Sequence, residues 1–436
     1  MAEPRALIIA APASGAGKTL ATLSVIGALR SAGRRVASAK IGPDYIDPRF
    51  HAAATAALCV NLDGWAMRPA LIRTLAAKAG RGADLMVIEG VMGLFDGSED
   101  GTGSTADLAS LLGLPVLLVV DARRQAQSVA ALVKGFSEFR ADCRVAGVIL
   151  NRVASPRHRA ILERALAPLA IPVLGTLKED PDLAMPSRHL GLVQAEEHEN
   201  LRAFLDRAAV CAADGIDLDR LAALAVPLPP AEEPVAGLAP LGGRIAIASD
   251  RAFGFAYPHL TDGWAAAGAE LKPFSPLADE APDADADAVF LPGGYPELHA
   301  GHIAANASFL GGLRKAAERG ALIYGECGGF MVLGEVLIDA EGVGHAMAGL
   351  LPIETSFASR SLHLGYRYLE HDGPLPWPKR LAGHEFHYST VAREGAAQPL
   401  FAAADSSGRQ IGPVGLRRGN VMGSYAHVID AREAGP

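Results

Sequence analysis

Short apolar runs alternate with helical patterns through the first half of the chain. The runs are rich in Val, Ile and Leu and lie at residues 6–10, 36–40, 85–89, 116–120, 145–150 and 173–177. Continuous apolar runs of this length are typical of strands buried on both faces, and the stretches between them are long enough for helices. The pattern predicts a doubly wound α/β domain with a mostly parallel sheet, which binds its ligands at the carboxyl ends of the strands.

The same alternation returns in the second half of the chain, with predicted strands at residues 244–249, 271–274, 288–291 and 321–324. Between residues 180 and 241 the alternation fades, and prolines interrupt the chain repeatedly. We therefore expect a first domain at residues 1–225, a proline-rich linker at 226–242 and a second doubly wound α/β domain at 243–436.

Composition narrows the class of protein. The chain has 436 residues, 50% of them hydrophobic, and a formal net charge of −8, which argues against nucleic acid as the main partner. Its four cysteines have no paired spacing, so neither a disulfide framework nor a zinc site is indicated. The longest apolar stretch, residues 108–120, is too short to span a bilayer, and no signal peptide is evident. We expect a cytoplasmic protein without a membrane partner.

The first motif is Ala-Pro-Ala-Ser-Gly-Ala-Gly-Lys-Thr at residues 11–19, between a predicted strand and a predicted helix at 18–32. This order forms a phosphate cradle, in which loop N–H groups and the positive end of the helix face the anion. Lys18 would reach the terminal phosphates and Thr19 would place its hydroxyl on Mg²⁺, although Pro12 stands where the usual motif has glycine. The predicted ATP contacts are Ser14, Gly15, Ala16, Gly17, Lys18 and Thr19.

Carboxylates follow two of the other strands. Asp44 and Asp47 lie in the turn Gly-Pro-Asp-Tyr-Ile-Asp-Pro, and Glu89 and Asp96 lie in the loop Glu-Gly-Val-Met-Gly-Leu-Phe-Asp-Gly. A carboxylate at the end of a strand beside a phosphate loop typically binds Mg²⁺ directly or through water. For the two aspartates of the turn, ordinary turn chemistry is the alternative.

Three further polar residues remain open in function. Asn151 closes a strand and either reads an adenine edge or caps a helix. Arg188 and His189 follow a proline near the end of the first domain, where they either bind an anionic substrate or cap a helix.

The second motif is Gly-Glu-Cys-Gly-Gly-Phe at residues 325–330, between a strand and a helix. This arrangement is typical of a nucleophile elbow, which exposes Cys327 and directs the N–H of Gly328 at an oxyanion. We expect the helix N-terminus to lower the pKa of Cys327, unless this residue is a small buried cysteine. Gly294, in a second glycine turn, would complete the oxyanion hole. His427 is the candidate base, with His384 and His387 among its competitors.

Together these motifs resemble the cobyrinic acid and hydrogenobyrinic acid a,c-diamide synthase family over nearly the whole chain. The resemblance implies an N-terminal P-loop domain like that of dethiobiotin synthetases and a C-terminal class I glutamine amidotransferase domain, flavodoxin-like in fold. It implies ATP- and glutamine-dependent amidation of the a and c acetates of a corrinoid through an acyl phosphate. The implied partners are hydrogenobyrinate or cobyrinate, L-glutamine and ATP, with Mg²⁺ as cofactor and a homodimer as the expected assembly.

The roles that we assign on this basis fall into five groups. Cys327, His427, Asp44 and Asp96 are assigned to catalysis, with Gly294 and Gly328 in the oxyanion hole. Lys40 and Asn151 join the phosphate loop in binding ATP, and Thr19, Asp47 and Glu89 hold the metal. The predicted substrate contacts are Tyr45, Ile46, Arg188 and His189.

Other functions stay open at this point. One alternative is an amidase of another tetrapyrrole, such as a nickel sirohydrochlorin, and a second is a regulatory P-loop ATPase whose amidotransferase domain is inactive. Intact Cys327 and His427 argue against the second. Classical amidotransferases carry a Glu two residues after the catalytic His, where this chain has Ile429, so the group that orients His427 is not identified.

Overall fold

The computed structural model describes residues 4–185, 187–188, 191–192, 194–231 and 233–432. The chain divides into two compact units, one formed by residues 1–65 and 69–235 and the other by residues 66–68 and 236–436.

The described strands of the first unit are β1 (Arg5–Ala10), β2 (Val36–Ile41), β3 (Val60–Leu62), β4 (Leu85–Glu89), β5 (Val116–Asp121), β6 (Val145–Asn151), β7 (Val173–Thr176), β8 (Ser187–Arg188), β9 (Gly191–Leu192) and β10 (Val226–Pro227). The main sheet consists of parallel strands in the order β3-β2-β4-β1-β5-β6-β7, with β10 antiparallel to the start of β1, while β8 and β9 form a separate two-stranded sheet. The central strands β1 and β4 are almost wholly buried, as their continuous apolar sequences predict.

Eight helices accompany these strands among the described residues: α1 (Lys18–Ser31), α2 (Asp47–Thr55), α3 (Pro69–Gly80), α4 (Thr105–Leu112), α5 (Val129–Glu138), α6 (Pro156–Leu166), α7 (Leu201–Gly215) and α8 (Leu218–Leu224). Helix α4 shows how the local sequence sets a boundary. Ser104 accepts from the backbone of Asp107, whose carboxylate accepts in return from the backbone of Ser104, so the helix begins with a capping box. Gly113 ends it in the left-handed conformation.

The described strands of the second unit are β11 (Arg244–Ala248), β12 (Glu270–Phe274), β13 (Ala288–Leu291), β14 (Leu322–Glu326), β15 (Val336–Ile338), β16 (Gly344–Ala346), β17 (Ile353–Ser356), β18 (His363–Glu370), β19 (Arg380–His387), β20 (Thr390–Glu394), β21 (Gln398–Asp405), β22 (Gln410–Arg418), β23 (Val421–Ser424) and β24 (His427–Ala431). Ten of them form a sheet in the order β12-β11-β13-β14-β23-β22-β21-β18-β19-β24, and the other four form a smaller sheet in the order β16-β15-β17-β20.

Four helices belong to this unit in the described part of the chain: α9 (Pro258–Ala266), α10 (Ala300–Ala305), α11 (Ala307–Glu318) and α12 (Gly328–Leu333). Strands β12, β11, β13, β14 and β23 run parallel, and the remaining pairs of the large sheet are antiparallel. The core includes Phe253, Phe309 and Phe330, each at most 2% exposed.

The predicted α/β class is confirmed in both units, and the predicted strands occur within a few residues of their expected bounds. The bounds of β3 and of the strands from β15 onward were not predicted. These strands are short or half-exposed, so they lack the continuous apolar runs that identified the others. Within the described residues, no helix combines the length and apolar character that crossing a membrane would need.

Candidate active sites

The phosphate loop lies between β1 and α1, as the sequence predicts. Gly15 and Gly17 have φ values of 79° and 88°, a left-handed conformation that side chains disfavour and that turns the loop around an open space. The cleft beside it has a volume of about 460 Å³ and is lined by Pro12, Ala13, Ser14, Gly15, Ala16, Asp121, Arg123, Gln125 and Leu132. Half-buried Lys18 donates from Nζ to the carbonyl of Met92 at 2.9 Å. Burial, with the charge of Lys40 adding to it, lowers the pKa of Lys18 to about 8.

Asn151 contacts this loop from the end of β6. Its Nδ2 donates to the carbonyl of Ala16 at 2.9 Å, and its Oδ1 accepts from the backbone N–H of Arg152 at 2.9 Å. A Cβ on Gly17 would lie 2.1 Å from Nδ2, so only glycine fits there. These contacts favour a structural role for Asn151, in which it holds the phosphate loop in place, rather than the predicted contact with an adenine edge.

An acidic cluster lies where α1, β2 and β4 meet. Lys40 and Glu89 face each other in the register of β2 and β4. The ammonium of Lys40 donates to Asp47 Oδ2 at 2.6 Å, to Glu89 Oε1 at 3.0 Å and to the carbonyl of Gly90 at 3.2 Å. The hydroxyl of Thr19 lies 2.7 Å from Glu89 Oε1 and 3.3 Å from Asp47 Oδ2. Lys40, predicted as an ATP contact, is thus bound to carboxylates.

The charges of this cluster are coupled through burial. Burial and the charge of Asp44 raise the pKa of Asp47 to about 7, although Lys40 opposes the shift. The carboxylates raise the pKa of Lys40 against the effect of its burial. Burial alone would raise the pKa of Glu89, but Lys40 and His51 hold it below its usual range. Among these three groups, Asp47 is thus the one whose charged form is disfavoured overall.

The donor set fits a magnesium ion. A hydroxyl and two carboxylates are hard oxygen ligands, which Mg²⁺ prefers in nucleotide sites. Burial is the main cause of the raised pKa of Asp47, with the charge of Asp44 second, and a divalent cation beside this carboxylate would favour its charged form. The predicted metal ligands Thr19, Asp47 and Glu89 are therefore close together and chemically suitable.

His51 belongs to this cluster and was not predicted. Its side chain is fully buried on α2, and its Nε2 lies 2.5 Å from Glu89 Oε2. Burial by itself lowers the pKa of His51, but Cys59 and Glu89 raise it to about 10, which makes His51 a second cation beside Glu89. It follows Asp47 by four residues on one helix, a spacing that could have indicated a shared face.

The remaining predicted residues of the first unit are less informative. The Oδ1 of Asp44 accepts from the backbone N–H groups of Ile46 and Asp47, so turn chemistry accounts for one of its oxygens. Exposed Asp96 accepts from the backbone of Gly93 in the same way. Ile46 is buried and Tyr45 half-buried. The backbone of Arg188 lies in β8, and His189 lies outside the described residues.

The cysteine elbow of the second unit is formed as predicted. Cys327 lies between β14 and α12 with φ 48° and ψ −107°, an unfavourable conformation for a residue with a side chain. Its N–H donates to the carbonyl of Ser424 at 2.8 Å. A Cβ on Gly328 would lie 3.1 Å from the backbone nitrogen of Gly294, so the two predicted oxyanion residues are adjacent.

His427 lies beside this cysteine. A Cβ on Gly293 would lie 2.4 Å from His427 Cε1, 3.1 Å from His427 Nε2 and 3.3 Å from Cys327 Cβ, so both side chains border the same glycine. The other edge of the ring faces a carboxylate, because Nδ1 of His427 lies 3.6 Å from Oε2 of Glu326. Glu326 was not predicted, although it directly precedes Cys327.

The expected pKa of Cys327 is wrong in direction. Burial raises the pKa of the thiol, and the charge of Glu297 adds to the shift. Helix α12 has only six residues and its N-terminus does not overcome this burial. A neutral thiol therefore requires a base, which strengthens the case for His427.

The two competing histidines differ in their surroundings. His387 Nε2 lies 2.9 Å from Glu385 and its Nδ1 lies 3.1 Å from Ser389. His384 pairs with His427 across β19 and β24, and burial, with the charge of His427 adding to it, lowers the pKa of His384 to about 3.

One unit contains a phosphate cradle with a carboxylate cluster, and the other contains a cysteine elbow beside a histidine. Together these two sites define an ATP-using glutamine amidotransferase. The family description "CobQ/CobB/MinD/ParA nucleotide binding domain" matches residues 7–193, and "CobB/CobQ-like glutamine amidotransferase domain" matches residues 244–434. The hydrogenobyrinate a,c-diamide synthase of Brucella suis is 57% identical over 98% of each chain, and that of Rhizobium meliloti is 54% identical over 98% of this chain and 99% of its own. The chain belongs to the hydrogenobyrinate a,c-diamide synthase family.

A solved structure described as a glutamine amidotransferase is 19% identical and covers 37% of this chain and 80% of its own, with a TM-score of 0.26. That score is too low to bear on the fold. The resemblance drawn from the motifs is confirmed by the curated relatives, which match along nearly the whole chain.

Proposed function

We propose that this protein amidates the a and c acetate carboxylates of hydrogenobyrinate, using ATP and glutamine, as a step of cobalamin biosynthesis. The observation that carries the proposal is the presence in one chain of two sites, a phosphate loop with its carboxylate cluster and a cysteine elbow with its histidine. The printed names of the relatives supply the substrate.

Glutamine hydrolysis is assigned to the second unit. His427 accepts the proton of the Cys327 thiol, and the sulfur attacks the side-chain amide carbon of glutamine. The N–H groups of Gly294 and Gly328 bind the oxyanion of the tetrahedral intermediate. The carbon–nitrogen bond breaks, the nitrogen leaves as ammonia with the proton from His427, and water then hydrolyses the thioester to glutamate.

Carboxylate activation is assigned to the first unit. An oxygen of the substrate acetate attacks the γ-phosphorus of ATP, the bond to ADP breaks, and an acyl phosphate forms. Ammonia then attacks the acyl carbon, and phosphate leaves with the electron pair. Lys18 stabilises charge on the transferring phosphoryl group, and Asn151 holds the loop that binds ATP.

Mg²⁺ would be held by Thr19, Asp47 and Glu89, where it neutralises phosphate charge. Lys40 and His51 hold the carboxylates in place. We assign Asp44 and Asp96 to positioning the substrate carboxylate, and Tyr45, Ile46, Arg188 and His189 to substrate contacts. A homodimer, a cytoplasmic location and the absence of nucleic acid and membrane partners remain predictions.

The nitrogen source tests the division of labour. The Cys327→Ser variant is expected to lose glutamine-dependent amidation and to retain amidation with added ammonia, because ammonia bypasses the thioester. Half-buried Cys211→Ser is the matched control and should keep both activities. The assignment would be contradicted if Cys327→Ser lost both activities while Cys211→Ser kept them.

The tetrapyrrole tests the substrate. The purified chain is incubated with ATP, Mg²⁺, glutamine and, in separate reactions, hydrogenobyrinate, cobyrinate and nickel sirohydrochlorin, and product masses are recorded. A diamide from hydrogenobyrinate is expected. Preference for another tetrapyrrole would overturn the substrate assignment, and a chain that hydrolyses ATP without forming any amide would favour a regulatory ATPase.

A further inference from the structure

A buried carboxylate occupies the side of His427 opposite to the reactive cysteine. Strand β14 ends in Glu326, directly before Cys327, and the side chain of Glu326 is 1% exposed. The position two residues after His427, where classical amidotransferases have their Glu, is the apolar Ile429. A carboxylate is thus available from a different strand.

Glu326 is held in place by two hydrogen bonds to the same oxygen. Its Oε1 accepts from the hydroxyl of Tyr324 at 3.1 Å and from the backbone N–H of Val428 at 3.0 Å. Val428 directly follows His427 on β24, so the carboxylate is bound to the strand that carries the histidine. The second oxygen, Oε2, lies 3.6 Å from His427 Nδ1.

We propose that Glu326 is the positioning residue for His427 and replaces the carboxylate that classical amidotransferases place after the histidine. The inference rests on the proposed glutaminase role of Cys327 and His427. A separation of 3.6 Å is too long for a hydrogen bond while the ring is neutral. When His427 takes the proton of Cys327 it becomes a cation, and such contacts tighten as charge develops.

Energetics favour this use of Glu326. A carboxylate buried without a cationic partner is costly, and only neutral donors bind Oε1. The imidazolium formed during the reaction would supply the missing charge at Oε2. The pair of Glu326 and protonated His427 therefore stabilises the state in which Cys327 is a thiolate. It also fixes which edge of the His427 ring faces Cys327.

Other titratable groups surround this pair. His384 faces His427 from β19 and stays neutral near pH 7, since its pKa is lowered to about 3. Glu297 and Glu385 act on Cys327 together with Glu326, and all three raise the pKa of the thiol. The wild type and a variant changed only at residue 326 have the same charges at His384, Glu297 and Glu385. Their comparison therefore isolates the effect of Glu326.

The Glu326→Gln variant tests the proposal, because it keeps the shape of the side chain and removes its charge. We expect glutaminase kcat to fall by roughly 100-fold to 10,000-fold with little change in KM. Ammonia-dependent amidation should be unchanged.

Two further variants make the result decisive. Glu318→Gln, on the exposed surface of α11, is the control and should match the wild type. Unchanged kcat in Glu326→Gln would overturn the proposal. If the Glu326→Gln variant also loses ammonia-dependent amidation, the Glu326→Asp variant becomes the deciding test of the positioning role. Retracting the carboxylate by one methylene should lower kcat, and an unchanged kcat would overturn the proposal. A wild-type chain without glutaminase activity would instead overturn the proposed function.

Discussion

Replacing Gly293 with alanine is expected to displace the base of the glutaminase site. The new Cβ would lie 2.4 Å from Cε1 of His427, far inside the separation of about 3.5 Å that two carbons prefer. The ring must therefore move by about 1 Å, and it cannot turn freely because His427 is only 2% exposed. A misplacement of about 1 Å at a reacting group costs roughly 100-fold in rate.

The assay compares glutamine hydrolysis with ammonia-dependent amidation in the same preparation. Gly293→Ala should lower glutaminase kcat by about 100-fold and leave ammonia-dependent amidation unchanged, since the phosphate loop belongs to the other unit.

Gly311→Ala is the matched control. A Cβ at Gly311, inside α11, would meet nothing within 4 Å. This variant should keep full glutaminase activity and gain about 1 kcal/mol of stability. If Gly293→Ala hydrolysed glutamine as fast as Gly311→Ala, the placement of His427 beside Cys327 would be refuted.

Three other outcomes follow from the contacts described. Lys18→Ala should abolish amidation with either nitrogen source, because it removes several kcal/mol of transition-state stabilisation. Formation of the ammonia-dependent product at the wild-type rate would contradict the role assigned to the phosphate loop. His51→Gln should lower the Mg²⁺ concentration needed for ATP binding, measured by calorimetry, because the loss of a cation beside Glu89 leaves more negative charge for Mg²⁺ to neutralise; an unchanged requirement would separate His51 from the metal site. His384 has a folded-state pKa of about 3 and an ordinary value of 6.5, so acidification protonates the unfolded chain first. Stability should therefore fall by about 1.4 kcal/mol per pH unit below pH 6.5, down to about pH 3, and denaturant midpoints should show a smaller fall in His384→Gln.

Much of the parallel core could be predicted from the sequence, because a strand buried on both faces is a continuous apolar run. Strand β4 shows this most clearly, since all five of its residues are buried and its bounds were predicted without error. Strand β20 shows the opposite case. Four of its five residues are exposed and none is buried, so its identity depends on pairing with β17 rather than on its own pattern.

The same distinction applies to the sites. The phosphate loop and the cysteine elbow are local, so their geometry follows from a few consecutive residues. The partners of Glu89 and His427 are not local. Lys40 reaches Glu89 through the register of β2 and β4, and Glu326, at the end of β14, reaches His427 at the start of β24. The expected lowering of the Cys327 pKa was wrong for a related reason. Burial raises this pKa, and burial is a property of the folded unit and not of the motif.

The backbone of Cys327 has a consequence for how the chain changes over generations. Holding a residue with a side chain at φ 48° and ψ −107° costs about 1–3 kcal/mol, whether or not glutamine is bound. Glycine accepts such a conformation without this cost. A lineage that lost the nucleophile by mutation to glycine could gain stability from the change, so folding alone does not retain the cysteine. Retention depends on selection for ammonia supply, and an amidotransferase unit released from that selection can become an inactive but more stable module.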